Sequence, residues 1–141
     1  MYLDGKILCM KYADLDFSHQ PHVIVRVNPI DPTEQQFENY LEELNKVAHE
    51  MKNGVLIFEI SKAKFLSSEK RIKIGNWLKT HDAIVKKNIC GFCYVNTAFI
   101  PMTILKGILM VNKPPVPYTV LSSEKEAMAW AKEKMAGDNR S

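Results

Sequence analysis

The chain lacks most of the features that announce a specialised protein. No apolar run approaches the roughly 18 residues needed to cross a bilayer. The longest candidate, residues 98–111, is too short and is interrupted by Pro101, Lys106 and Gly107. Cysteine is scarce, and the three thiols of Cys9, Cys90 and Cys93 cannot form a paired framework. Each lies in an apolar, strand-like stretch, as in proteins of a reducing compartment. The opening MYLDGK is broken at once by an acid and a glycine, which predicts no signal peptide and a cytoplasmic location. Neither charge sign dominates. The 19 basic residues exceed the 16 acidic ones by three, and all but three of the basic residues are scattered lysines, so a nucleic-acid partner is not expected. There is no Gly-rich phosphate loop and no Gly-x-Ser-x-Gly elbow.

What remains is an ordinary folded composition, 46% apolar and 25% charged over 141 residues, enough for one domain with one core. Residues 7–12 and 23–28 predict strands, and Asp4-Gly5 a short hairpin turn. The stretch ADLDFSHQPH between the strands reads as a turn. In the second strand Val23, Val25 and Val27 alternate with Ile24 and Arg26, so one of its faces is only partly covered. Thr33 and Gln36 form a capping box for the clearest amphipathic helix. Its Phe37, Tyr40, Leu41, Leu44, Val47, Ala48 and Met51 recur at three and four, and Asn53-Gly54 ends it. Residues 55–60 predict a central strand. A helix capped by Ser67 or Ser68 then carries Ile74, Trp77, Leu78, Ile84 and Val85 on one side as far as Asn88.

Residues 89–95 predict the next strand, followed by a helix over 98–111, a short strand over 118–121 and a last helix. Ser123 and Glu126 box that helix, which ends near Met135 ahead of a frayed tail at 137–141. The order β-β-α-β-α-β-α-β-α points to a single α/β domain with a mixed, mostly parallel sheet of about five strands and four helices.

The run at 98–111 is apolar almost all the way round, whereas a surface helix needs only one apolar stripe. Phe99, Ile100, Thr103, Ile104, Gly107, Ile108 and Val111 are therefore expected to form a contact with a second copy or another protein. A cover by the domain itself and a small apolar or lipid-like ligand are the alternatives. Gly107 would let two helices approach closely.

The element order, with VIVRVN, GVLIFEIS, RIKIGNWLKTHDAIVKK, ICGFCYVN, FIPMTILKGILMV and PYTVLSSEKEAMAWAKEKM, resembles the STAS fold. More narrowly the chain resembles the SpoIIAA-like, STAS/SEC14-type families of small bacterial proteins, over about residues 7–135. The Ala127-to-Trp130 spacing is typical of their last helix. The resemblance implies a regulatory, non-enzymatic module. STAS domains serve as anti-anti-sigma factors, stressosome components or transporter tails. In the first branch a serine or threonine at the start of the helix after the central strand is phosphorylated. Ser67 and Ser68 stand at the matching junction, although the surrounding KAKFLSSEKR departs from that branch. The second half of the family name implies apolar ligands.

Individual residues add little chemistry. A phosphate on Ser67 or Ser68 would meet a helix N-terminus, with Lys62, Lys64, Lys70 and Arg71 near in sequence. His19, His22, His49 and His81 show no metal-ligand spacing, and neither a metal nor a cofactor is expected. Cys90 and Cys93 have the CxxC count, but mid-strand their side chains should point to opposite faces. Glu59 and Asn96 stand at the C-terminal ends of neighbouring strands, where α/β sites form. With Trp77 they are the candidate pocket residues. No catalytic constellation is present.

Overall fold

The computed structural model describes residues 11–97 and 113–140, the last five as backbone only. Among these residues five strands form one sheet in the order β1 (Ala13–Asp16), β2 (Val23–Val27), β3 (Gly54–Glu59), β4 (Ile89–Val95) and β5 (Tyr118–Leu121). The β1–β2 pair is antiparallel and every other neighbouring pair is parallel. Among the described residues there are four helices: α1 (Glu34–Glu50), α2 (Ser68–Thr80), α3 (Asp82–Asn88) and α4 (Glu124–Arg140). The first three pack on one face of the sheet and α4 on the other. This is the mixed, mostly parallel α/β sheet that the element order implies. The helix expected over 98–111, its contact residues, Cys9 and the Asp4-Gly5 turn lie outside the described residues.

Three local expectations are corrected. The first described strand is Ala13–Asp16, within the stretch that reads as a turn, and Tyr12 precedes it. The alternation there is short: Ala13 and Leu15 face the core, while Asp14 takes the Asn28 amide at 3.0 Å and Asp16 takes Arg26 at 2.8 Å. The helix over 68–88 is two helices. At His81 the backbone leaves helical dihedrals (φ −103°, ψ 15°), and both its backbone N–H and its Nδ1–H donate to the Trp77 carbonyl. The last helix continues past Met135 to Arg140.

The cysteine geometry also differs. Gly54 pairs with Ile89, but Val55 pairs with Gly91, so Cys90 is an extra residue, a β-bulge. The bulge resets the alternation. Cys90 and Cys93 consequently pack on the same face, with Ile24, Val55, Ile57 and Val95 under Ala127 and Ala131 of α4. Gly91 lies beneath the Trp130 ring, where an added Cβ would stand 2.8 Å from the indole.

The capping box of α1 is formed as expected: Thr33 Oγ1 accepts from the Gln36 N–H at 3.1 Å, and the Thr33 N–H donates to Gln36 Oε1 at 2.8 Å. Phe37, Tyr40, Leu44, Val47 and Ala48 form its buried stripe. Asn53 then holds a left-handed φ of 61°, tolerable for asparagine, and its N–H reaches the Asn88 carbonyl at 2.8 Å. On the α4 face the partly exposed end of β2 is closed by Arg26. Its guanidinium binds both oxygens of Glu124, at 3.0 and 2.9 Å, as well as Asp16. This joins two strands to the first turn of α4 through a two-pronged, charge-assisted contact.

The start of β3 is fixed most tightly. A Cβ on Gly54 would lie 2.0 Å from the Pro21 carbonyl oxygen. The next N–H, that of Val55, donates to Nδ1 of buried His22 at 2.9 Å. Burial, then His19 and Lys132, lower the His22 pKa below its ordinary value and keep the ring neutral.

Two predictions follow from this junction. Gly54→Ala should destabilise the protein by about 3 kcal/mol, since backbone and not a flexible side chain must move; urea unfolding measures it. Because His22 binds its proton more readily when unfolded, stability should be full above pH about 6.5 and fall as the pH drops below it. His22→Gln should flatten the urea midpoint between pH 7 and 5. An unchanged slope would mean that His22 is not the group responsible.

Candidate functional site

Between α1, α2 and the sheet lies a cavity of about 200 Å³, roofed by the loop that joins β3 to α2. Its floor is aromatic. Phe58 stacks on Tyr94 at 5.4 Å and tilts against Phe92 at 5.4 Å. Tyr40 and Leu44 of α1 form one wall, and Arg71, Ile74, Trp77 and Leu78 of α2 form the other. Burial raises the phenol pKa of Tyr40 and of Tyr94, so both stay neutral donors.

Polar atoms are few here, and two have no hydrogen-bond partner among the described residues: Nε1 of Trp77 and Nε of Arg71. Both atoms are out of contact with water. The Trp77 ring is fixed from outside by His81, stacked at 4.4 Å. Arg71 Nη2 donates to Ser68 Oγ at 3.1 Å, and the guanidinium lies 5.6 Å from the centre of the Phe65 ring. Phe65 is 65% and Ile72 62% exposed, so two large apolar side chains flank Ser67 and Ser68 on the surface. Ser67 caps α2, accepting from the Lys70 N–H at 3.3 Å.

The expected pocket residues are not brought together. Trp77 lines the cavity, whereas Glu59 and Asn96 are not among its lining residues. Glu59 closes a turn instead, accepting from the Ser61 N–H at 2.7 Å. The Asn96 N–H donates to the Leu121 carbonyl at 2.9 Å. Ser61 Oγ in turn accepts from the backbone and hydroxyl of Thr97, both at 2.7 Å, tying the loop after β3 to the end of β4. Arg71 was legible only as a possible counter-charge for the serines. Its spacing of three and seven from Ile74 and Leu78, on the apolar stripe, is the signal that places it in the cavity wall.

Among the described residues no group of three or more side chains that could hold a metal ion occurs. Cys93 is buried, and desolvation followed by Glu126 raises its thiol to about 12, far from the reactive thiolate range. No described helix is long and apolar enough to cross a membrane.

No known protein family and no curated protein matches the chain by sequence. In shape it is similar to the solved "Structure of the Anti-Sigma Factor Antagonist SpoIIAA in its Unphosphorylated Form". The TM-score is 0.57 at 10% identity, over 86% of this chain and 96% of that one. The fold is STAS-like, as the element order implies.

The two donors without a partner among the described residues have a measurable cost. Leaving a buried donor unmet costs about 1–3 kcal/mol, which offsets the apolar area lost when an indole becomes a phenyl ring. Trp77→Phe should therefore stay within about 1 kcal/mol of the parent in urea unfolding, whereas Trp77→Ala should lose about 3 kcal/mol or more. A large loss in the phenylalanine variant would show that the indole N–H has a partner.

Proposed function

We propose that this protein is a non-enzymatic regulatory module that acts by protein contact. The observation that carries the reading is the surface around the start of α2, where exposed Phe65 and Ile72 flank the exposed pair Ser67 and Ser68. Exposed apolar side chains beside a helix N-terminus make a surface that a partner can cover and a phosphate can change. A phosphoryl group on either serine would stand at the free amides of α2, close to the Arg71 guanidinium that already reaches Ser68. The STAS-like fold, shared with an anti-sigma factor antagonist solved in its unphosphorylated form, supports this reading. Homodimerisation through the apolar run at 98–111 belongs to the same proposal and rests on that sequence alone. The second reading, a sensor of a small apolar ligand, is favoured by the cavity beside Trp77.

Native mass spectrometry of the full chain, purified gently from its own cells, tests the contact reading. The expected result is a complex lost in a Phe65→Asp/Ile72→Asp variant whose thermal stability is unchanged within about 0.5 kcal/mol. A dimer mass abolished by Ile104→Glu would assign the homodimer to 98–111. An extra ~80 Da that survives denaturation and disappears in Ser67→Ala/Ser68→Ala would establish the modification. A bare, unmodified single chain in every preparation would overturn the contact reading.

A further inference from the structure

The surface at the start of α2 is polarised in charge as well as apolar. Residues 61–73, the loop after β3 and the first half of α2, carry five cations and one acid, a net charge of +4, whereas the whole chain carries +3. The positive excess of the protein is therefore concentrated around Phe65 and Ile72. Lys62 and Lys64 stand exposed on the loop, and Lys70 and Arg71 are half-buried on the helix. Of the five cations only Lys73 makes an ion pair among the described residues, to Glu38 of α1 at 2.9 Å. Glu38, then Glu34 of α1 and Glu69, raise the Lys73 pKa above its ordinary value. The acids of α1 thus border this surface on the Lys73 side, and the other four cations have no carboxylate against them there.

Phe65 and Ile72 are 65% and 62% exposed. The Phe65 ring is nevertheless held, because the Arg71 guanidinium lies 5.6 Å from its centre and is itself tied to Ser68 Oγ at 3.1 Å. An aromatic side chain already held in the open loses little freedom when a partner covers it.

Charge complementarity selects the partner. A neutral or basic segment laid across the two apolar side chains would cover cations without supplying a counter-charge, whereas an acidic segment supplies one. A lipid bilayer is also anionic, but it is flat, and it would meet Glu69, Glu34 and Glu38 together with the lysines. A nucleic-acid strand would find a single exposed aromatic ring on this surface and no second one for the next base. One peptide segment is narrow enough to follow the cations and pass beside the acids. We propose that this surface binds an acidic segment of a partner protein, its apolar side chains seated on Phe65 and Ile72 and its carboxylates against Lys62, Lys64, Lys70 and Arg71. This names the class of partner for the contact reading above and rests on it.

The test pans a library of random dodecapeptides on the full chain. Phe65→Ser/Ile72→Ser, which removes the apolar side chains and adds no charge, serves as the counter-selection. Peptides that bind the parent and not this variant should be net acidic and carry at least two apolar residues. Synthesised and titrated by fluorescence anisotropy, such a peptide should bind about tenfold more weakly in Lys62→Gln/Lys64→Gln/Lys70→Gln, and normally when the same three lysines become arginine. The glutamine variant should melt with the parent, since none of the three lysines makes an ion pair among the described residues. A peptide with glutamine in place of its acids should lose the same tenfold on the parent and lose nothing further on the glutamine variant. Raising the salt from about 0.05 to about 0.5 M should weaken the acidic peptide by about tenfold and leave its glutamine counterpart unchanged.

Selected peptides that need Phe65 and Ile72 but are neutral or basic would overturn the acidic assignment and leave the contact surface standing. An acidic peptide indifferent to the three lysines would do the same. Phosphatidylcholine vesicles with about 30% phosphatidylserine, or single-stranded oligothymidylate, should not bind. Binding of either one that is lost in the serine variant would overturn the choice of a protein segment. A library that never separates the parent from the serine variant would overturn the contact surface itself.

Discussion

The close passage of the Pro21–His22 segment over the start of β3 is the constraint on which the rest of the structure depends. β3 is the central strand, with parallel neighbours on both sides. Where it begins decides which residues of β2 and β4 stand opposite which. Gly54 admits the Pro21 carbonyl only because it has no side chain, and His22 occupies the very next N–H. A slip of one residue would expose the core face of every strand it touches. With Val23 set against Leu56 and Val55 against Gly91, the strand ends Arg26, Glu59 and Val95 fall in line at the opposite end of the sheet. The loop that roofs the cavity leaves from that end.

The two faces of the sheet are built differently from that common register. On the α1–α3 face large rings meet: Tyr12, Phe37 and Tyr40 form one aromatic group, and Phe58, Phe92 and Tyr94 another. Rings of that size pack at preferred angles and do not fill space evenly, and the cavity lies between the two groups. On the α4 face the contacts are small. Ala127 and Ala131 let the helix sit close, the bulge at Cys90 turns two successive residues of β4 towards it, and Gly91 leaves room for Trp130. Arg26 anchors the helix start to β2 with two contacts to one carboxylate. Among the described residues one face is thus close-fitting and the other leaves a cavity.

Legibility in the sequence followed the length of each pattern. α1 was readable almost to the residue because apolar side chains recur at three and four throughout its 17 residues and Thr33 and Gln36 mark its start. β3 and β4 were readable as continuous apolar runs. β1 was missed because Ala13 and Leu15 supply only two inward positions, and its aspartates, which read as turn residues, find partners only across the fold in Asn28 and Arg26. The bulge at Cys90 was invisible, since it is a property of the pairing with β3 and not of β4 itself. The break at His81 is likewise a side-chain-to-backbone contact that periodicity does not register. Of the expected pocket residues Trp77 lies on the apolar stripe of its helix and lines the cavity; Glu59 and Asn96 stand at strand ends, the place to look in folds whose ligands lie beyond the sheet edge. Here the open space lies under a helix instead.

That position changes what the polar atoms mean. A leucine or phenylalanine at position 71 or 77 would continue the apolar stripe of Ile74 and Leu78 and leave no donor unmet. Each unmet buried donor costs free energy that a fold with a stability of only about 5–15 kcal/mol can ill spare. What the two residues supply in return is contact: the Trp77 ring stacks on His81 at 4.4 Å, and Arg71 reaches Ser68 Oγ at 3.1 Å. The same arginine holds Ser68 and lies against exposed Phe65, so one side chain belongs both to the cavity wall and to the surface at the start of α2. The cavity wall and the start of α2 thus share one side chain on one helix, in a framework whose register is fixed at the other end of β3.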